Sequence, residues 1–451
     1  MPLVKIYLTF EAFGAILSLA LSNKKRGGNV EKNYKTKNGI DIYGYKNSSQ
    51  NGFFISLFLR AGSMYESERD SGITHFLEHV SIRNVNKLYG GKLYAELDLR
   101  GVEFNASTYA EMVQFYTSGA VKNFKYAAQI LSRLFSPIIL TAGEIDLERR
   151  RIKAEIRESD DKNSLLAFSN GIVHKGTSLS RLITGSISGV SKITAKRLEE
   201  YRRRTYSVGN FFFYITGNYT DGDVEYLASL IEGYDFPKAD EAHRNIAPVS
   251  AEHFCRDGAV QVKNSDFTSI RFSFDLDMKK LTVPETDLIY DMLLTGYNSK
   301  FFIEMSEERG LFYDISGAVE RYRNIGELYF SYEVRPRDVC AAVEITLKIL
   351  SEFKKTLHAP ELLMKSAYVD NAYMLYDDAR ELNFTFAYDN HVMQLAYPSI
   401  EERRAAYERI TGEDIRRAAC EIFRPENLTL TIKGNKKKID IQRINELTRA
   451  F

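Results

Sequence analysis

The segment His75-Phe76-Leu77-Glu78-His79 sets two imidazoles four residues apart with a carboxylate between them. On a helix at 100° per residue, Glu78 falls about 60° to one side of His75 and His79 about 40° to the other, while Ile73, Phe76, Leu77 and Val80 gather on the opposite face. The spacing predicts a helix from Gly72 to about Ser81 with separate chemical and core faces. Two imidazoles one turn apart can each lend a ring nitrogen to one zinc ion, and a carboxylate beside them can take a proton from water. With 7 His in 451 residues, H-x-x-E-H arises by chance in about one such chain in a hundred, which makes it far more specific than a lone glycine pattern. The competing reading is a surface helix whose histidines pair with nearby carboxylates.

A catalytic zinc ion takes three protein ligands and leaves the fourth position to water. Ala142 to Ser159 reads as a long helix carrying Glu144, Glu148, Glu155 and Glu158, and Glu148 and Glu155, seven apart, share one face. On its own, a helix with Arg149, Arg150 and Arg151 among these acids reads as an exposed, charge-laced one. Glu155, however, lies 80 residues after His75. Here the chain resembles the pitrilysin family of zinc metallopeptidases, which includes insulin-degrading enzyme and the mitochondrial processing peptidases, where H-x-x-E-H is followed at about this distance by a liganding Glu. Gly101-Val102-Glu103-Phe104-Asn105-Ala106-Ser107-Thr108 resembles that family's G-x-x-x-N-A-x-T segment, and Gly185 with Ile193-Thr194 through Asn210 resembles its end-of-domain pattern. The likeness runs from about Tyr34 onward. It implies one Zn²⁺ per chain held by His75, His79 and Glu155, with Glu78 as general base and Glu148 supporting the ligands from behind. It also implies an extended peptide substrate along an edge strand near Asn105 and Ala106, gripped by main-chain pairing. The function it implies is a zinc-dependent endopeptidase that hydrolyses peptides or unfolded segments inside a dimeric clamshell of which this chain is half.

One departure bears on the partner. The family's second half carries R-x-x-x-G-L-x-Y, which supplies an Arg and a Tyr to substrate at the other half's zinc site. The matching stretch here is Ser306-Glu307-Glu308-Arg309-Gly310-Leu311-Phe312-Tyr313. Tyr313 is kept, but Ser306 cannot give the charged, bidentate donor of an Arg. Arg309 serves only if the local turn redirects it. The expected partner is therefore a paralogous chain that supplies the Arg and Tyr segment in a heterodimer, with a homodimer as the alternative. A non-catalytic structural or assembly subunit, like the family's respiratory-complex core proteins, is the rival function. Intact His75, Glu78, His79 and Glu155 argue against it.

The elements that position these residues occur twice. Ile193-Thr194 recurs as Ile410-Thr411, an offset of 217 that holds without a gap for 26 positions, so that Asn210, Ile215, Gly217 and Asn218 return as Asn427, Ile432, Gly434 and Asn435. Thr194 and Thr411 read as helix N-caps, and Phe211 to Ile215 and Leu428 to Ile432 as strands. Lys92 to Val102 likewise resembles Lys300 to Leu311. The expectation is an α+β chain: two homologous domains in tandem, each a mixed, mainly antiparallel sheet flanked by helices. Residues 1–30 read as an N-terminal extension, 31–235 as the zinc domain, 236–250 as a linker and 251–451 as a non-catalytic copy. The copy has no histidine from Val283 to Gly296. Long helices are expected at Val339 to Thr356 and Pro360 to Tyr376.

Composition bounds the rest. Hydrophobic residues at 44% and charged residues at 27% are ordinary folded-protein usage. Lys and Arg total 61 against 60 Asp and Glu, so no global field draws nucleic acid or anionic lipid, and the short runs Arg149 to Arg151, Arg202 to Arg204 and Lys436 to Lys438 read as solvated faces. Cys255, Cys340 and Cys420 are far apart, which fits a reducing, cytoplasmic compartment. The apolar stretch within Met1 to Ser22 is broken by Lys5 and Glu11 and reads as a packed or dangling helix; no stable membrane insertion is expected.

Overall fold

The first sheet carries apolar residues on both faces and the second buries polar ones on its outer face, so both need cover on both sides, and the fold supplies it by exchange between the halves. The computed structural model describes residues 30–158, 164–238, 259–262, 267–322, 325–356 and 365–451. The first half runs β1 (Lys32–Lys35), β2 (Asp41–Lys46), β3 (Gly52–Leu59), α1 (Ile73–Leu88), α2 (Leu93–Arg100), β4 (Glu103–Thr108), β5 (Val113–Ala120), α3 (Phe124–Ser132), α4 (Ala142–Glu158), α5 (Leu165–Val173), α6 (Ile187–Lys192), α7 (Ala195–Thr205), β6 (Phe211–Gly217) and α8 (Asp221–Glu232). The second runs β7 (Ala259–Val262), β8 (Thr268–Leu276), α9 (Val283–Leu294), β9 (Ile315–Arg321), β10 (Gly326–Val334), α10 (Val339–Phe353), α11 (Lys365–Asn371), α12 (Ala379–Ala387), α13 (Ile400–Glu408), α14 (Gly412–Ile422), β11 (Leu428–Gly434) and α15 (Ile441–Ala450).

The repeat read from the sequence is written in the sheets. The first has strand order β1-β2-β6-β3-β5-β4 and the second β7-β11-β8-β10-β9. Matching β2 to β7, β6 to β11, β3 to β8, β5 to β10 and β4 to β9 superposes the two orders. In each sheet one pair is parallel, β2 with β6 and β7 with β11, and the others are antiparallel. Thr194 accepts the Arg197 amide at the start of α7, and Thr411 accepts the Asp414 amide at the start of α14, so caps 217 residues apart do the same work.

One face of each sheet packs on helices of its own half. Ile55, Leu57, Phe115 and Phe213 meet Phe76, Val80 and Leu131, while Phe272, Phe274 and Phe330 meet Ile289, Val343 and Ile415. The opposite faces are covered by exchange. Helix α12 lies across β3 and β6, where Leu382, Phe386 and Ala387 bury Tyr45, Phe58 and Tyr214. In return α5 lies across β8 and β11, where Ser169 hydrogen-bonds Thr431.

Of the expected elements, Pro360 to Tyr376 is a shorter α11 followed by a 3-10 turn over Ala372–Tyr376, and residues 357–364 lie outside the described residues. So do 1–29 of the expected extension and 239–250 of the expected linker. Among the described residues no helix is long and apolar enough to cross a membrane.

Candidate metal centre

Helix α1 is anchored before its histidines begin. The buried Glu66 carboxylate accepts the Gly72 amide at 2.8 Å and the Thr74 amide at 2.9 Å, satisfying donors that a helix start leaves unpaired. Gly72 has φ +90°, and a Cβ there would meet Thr184 O at 2.9 Å and Gly185 Cα at 3.0 Å, so the two glycines let the loop before α6 press against the start of α1. Ile73, Phe76, Leu77 and Val80 are buried in the core, as the expected wheel requires. The helix continues past the expected end to Leu88.

This packing turns the chemical face toward α4, which runs antiparallel beside it. His75 Nε2 is 3.5 Å from Glu155 Oε1, and His79 Nε2 is 3.6 Å from Glu155 Oε2. His75, His79 and Glu155 offer ligand atoms that all lie within 4.8 Å of one another, and among the described residues no other group of three does so. A tetrahedral zinc ion about 2.1 Å from each donor sets its donors about 3.4 Å apart, so the two nitrogens and the carboxylate fit such an ion. Glu148 is behind them: its Oε2 is 3.5 Å from His79 Nδ1, while Oε1 accepts from Arg83 at 2.6 Å and from Arg151 at 3.1 Å.

The electrostatics separate the roles. Burial, with His79 close by, pushes the His75 ring down to about 4, so it is neutral and its lone pair is free. Burial also pulls His79 down, but Glu148, Glu78 and Glu155 outweigh it and raise the ring above its ordinary value. For Glu78, burial raises the carboxyl, Glu155 adds to this, and Thr108 and His79 oppose it; the balance stays upward. That moves a carboxylate toward the range where it can both take and return a proton near neutral pH. Burial raises Glu148 too, but His79, Arg83 and Arg151 outweigh it and hold the group below the usual carboxylate range.

Asn105 and Ala106 lie on an edge strand, as expected. Among the described residues β4 is the free edge of the first sheet, bonded only to β5. Asn105 is exposed on it, its Oδ1 accepting the Ala106 amide, and Ala106 is half-buried. At the end of β4 the Thr108 hydroxyl donates to Glu78 Oε2, a contact the sequence reading missed although Thr108 stood in the quoted segment. Arg83 was missed as well; it continues the four-residue spacing of His75 and His79.

Tyr313 is not brought to this cluster within the chain. It is 99% exposed and lines a second-half cleft of about 1170 Å³ with Phe312, Ser316, Glu333 and Lys433. Ser306 is turned inward, donating to Phe312 O at 3.2 Å. Arg309 is occupied: it donates to Glu304 O and pairs with Glu308 at 2.9 Å.

Comparisons with known proteins bear on the family and the fold. The insulinase pattern of peptidase family M16 matches residues 45–181, and the M16 inactive-domain pattern matches 192–364. An uncharacterised zinc protease of Rickettsia felis is 25% identical over 298 residues, 65% of this chain and 70% of that protein. Subunit 1 of the mitochondrial cytochrome b-c1 complex of Caenorhabditis elegans is 24% identical over 48% of this chain and 46% of its own length. The beta subunit of the mitochondrial-processing peptidase of Rattus norvegicus is 29% identical over 37% and 34%. The match thus spans less than half of either mitochondrial protein. The crystal structure of a protease from Helicobacter pylori shares the fold at a TM-score of 0.78 and 16% identity, covering 90% of this chain and all of that one. The two patterns follow one another along the chain in the order of its two halves, and the chain belongs to the M16, or pitrilysin, family of peptidases.

Proposed function

We propose that the chain is a zinc-dependent endopeptidase that hydrolyses peptides or unfolded segments. The observation that carries this reading is the donor set of His75, His79 and Glu155 with Glu78 on the same helix, one hydroxyl away from the free edge strand. When bound there, zinc supplies a Lewis acid that makes water a nucleophile near neutral pH. The chain's own residues do the rest. Glu78 takes a proton from the attacking water and returns it to the leaving amine, while β4 holds the peptide extended by main-chain pairing at Asn105 and Ala106.

The reading includes a partner. A chain whose Arg309 is paired and whose Ser306 points inward has no free guanidinium in this segment to offer a substrate across a chamber. We favour a heterodimer with a paralogous chain that carries the Arg as well as the Tyr. The same departure is what favours a non-catalytic assembly role, the class to which the b-c1 relative's name points. Metal analysis and hydrolysis of an unstructured peptide decide between them. The purified chain is expected to hold one zinc on its own and to reach full activity only with the paralogue; full activity of the chain alone would sink the heterodimer. Glu78→Gln is expected to keep zinc and lose at least about 100-fold in rate, as removal of a general base does. A Glu78→Gln chain that cleaves like wild type would sink the role given to Glu78, and a zinc-bound complex without hydrolysis would favour the assembly role over the peptidase reading.

A further inference from the structure

The facing surfaces of α1 and α4 carry more than the zinc group. His75, His79, Arg83 and Lys87 follow one another at four-residue steps on α1, the spacing that keeps side chains on one ridge. Opposite them, in reverse order on α4, stand Glu155, Glu148 and Glu144. The rungs are His75 and His79 to Glu155, His79 and Arg83 to Glu148, and Lys87 Nζ to Glu144 Oε2 at 2.5 Å. Glu148 is the shared rung. It is buried, and a buried carboxylate is stable only when its oxygens are fully engaged. Its Oε1 takes two guanidiniums, which leaves Oε2 to face His79 Nδ1. A ring that gives Nδ1–H to a carboxylate turns its Nε2 lone pair outward, and Nε2 is the atom that faces Glu155.

We infer that Arg83 is a positioning residue that acts through Glu148 on His79 and thereby sets how tightly this chain holds its metal. The inference rests on the zinc reading above. Arg83 outranks Arg151 in this role because it makes the shorter contact, 2.6 Å against 3.1 Å, and its side chain is 24% exposed against 61%. A screened surface pair contributes little, whereas a partly buried, charge-assisted one constrains geometry. Lys87 has no contact with Glu148; its rung ties α1 to the start of α4, where Glu144 also accepts the Thr141 amide.

The test is zinc affinity of the full chain, read by competition with a chromophoric chelator, with thermal unfolding of the metal-free protein alongside. Arg83→Met is expected to weaken zinc binding about 10 to 100-fold, the range for loss of a group behind a ligand. Arg83→Lys is expected to restore most of it. Lys87→Met should change affinity less than threefold. In a Glu148→Gln background Arg83→Met should add little, because the route through Glu148 is already cut. Arg83→Met with wild-type affinity, or an equal loss in the Glu148→Gln background, overturns the inference. If Arg83→Met does not fold, Arg83→Gln takes its place with the same expected loss. A wild-type chain that binds no zinc removes the underlying reading as well, whereas tight zinc without hydrolysis removes only the peptidase reading and leaves Arg83 its role.

Discussion

Thr108 shows how one hydroxyl can tune the carboxyl of Glu78, the proposed general base. Glu78 is more than nine-tenths buried, and its carboxyl is raised chiefly by that burial. The Thr108 hydroxyl opposes the rise by donating to the charged form. Thr108→Val keeps the branched shape and removes only the donor. Glu78 must be ionised to act, so activity climbs with pH through its pKa; without Thr108 that pKa moves further up, and the acid limb of the kcat/KM profile should shift to higher pH. The rate at neutral pH should fall about tenfold with zinc retained, the effect of losing one hydrogen bond to a charged group. An unmoved acid limb would count against the contact. His75, Glu78 and His79 were legible in the sequence because their geometry is local to one helix turn. Glu155 was not legible from its own surroundings, since Glu148, Arg149, Arg150 and Arg151 spell an exposed helix equally well; only the likeness to a family singled it out. Thr108 reaches the site by tertiary packing, which no spacing along the chain encodes; Arg83 shares the four-residue spacing of the histidines, but its pairing with Glu148 depends on how α4 packs against α1.

At the scale of elements, strand positions and caps were read with little error, because alternation, glycine at strand ends and Thr at helix starts are local signals. β6 and β11 end at Gly217 and Gly434 as the repeat requires. α1 was read too short. Its last turn is stabilised by tertiary partners: Asn84 donates to Pro137 O and accepts the Ile139 amide, beside the Arg83 and Lys87 rungs. What periodicity cannot say is which sheet a helix covers. α12 belongs by sequence to the second half and by packing to the first. Its pivot is Asn383, fully buried, which accepts the Ser56 hydroxyl at 2.7 Å and donates to Tyr214 O at 2.9 Å. Asn383→Leu would leave Ser56 and a strand carbonyl in β6 with fewer partners in a dry interface. Each orphaned group costs about 1 to 3 kcal/mol, so urea unfolding should report a loss of about 3 kcal/mol. Glu381→Ala, two residues away on the exposed face of the same helix, should stay within about 0.5 kcal/mol. Equal effects from the two variants would show that α12 is not clasped through Asn383.

For the molecule as a whole, the reciprocal exchange makes the two halves one folding problem, and the two exchanged faces differ in kind. α12 closes a largely aromatic surface, whereas α5 closes a charged one. His174, at the end of α5, is 3.1 Å from Glu327 Oε2, and Glu327 Oε1 accepts from Arg271 at 2.9 Å, with all three side chains buried and Arg271 lying over the Tyr329 ring. Burial alone would raise the Glu327 carboxyl, but the Arg271 guanidinium and His174 outweigh it and hold it down to about 2. The sign follows from linkage. A carboxyl whose pKa is lower folded than unfolded contributes stability above its unfolded pKa, and that contribution fades as pH falls from the ordinary value of 4.5 toward 2. A shift of this size corresponds to about 3 kcal/mol. The intact chain should therefore lose stability steeply between pH 5 and pH 3. Glu327→Gln should start less stable at pH 7, because Arg271 is left buried without its counter-charge, but should lose less over the same interval. Urea midpoints for both chains at pH 7, 5, 4 and 3 measure this directly. Parallel curves would mean that the charged clasp between α5 and the second sheet contributes nothing to acid stability, and that α5 is held there by its packing and by the Ser169–Thr431 hydrogen bond instead.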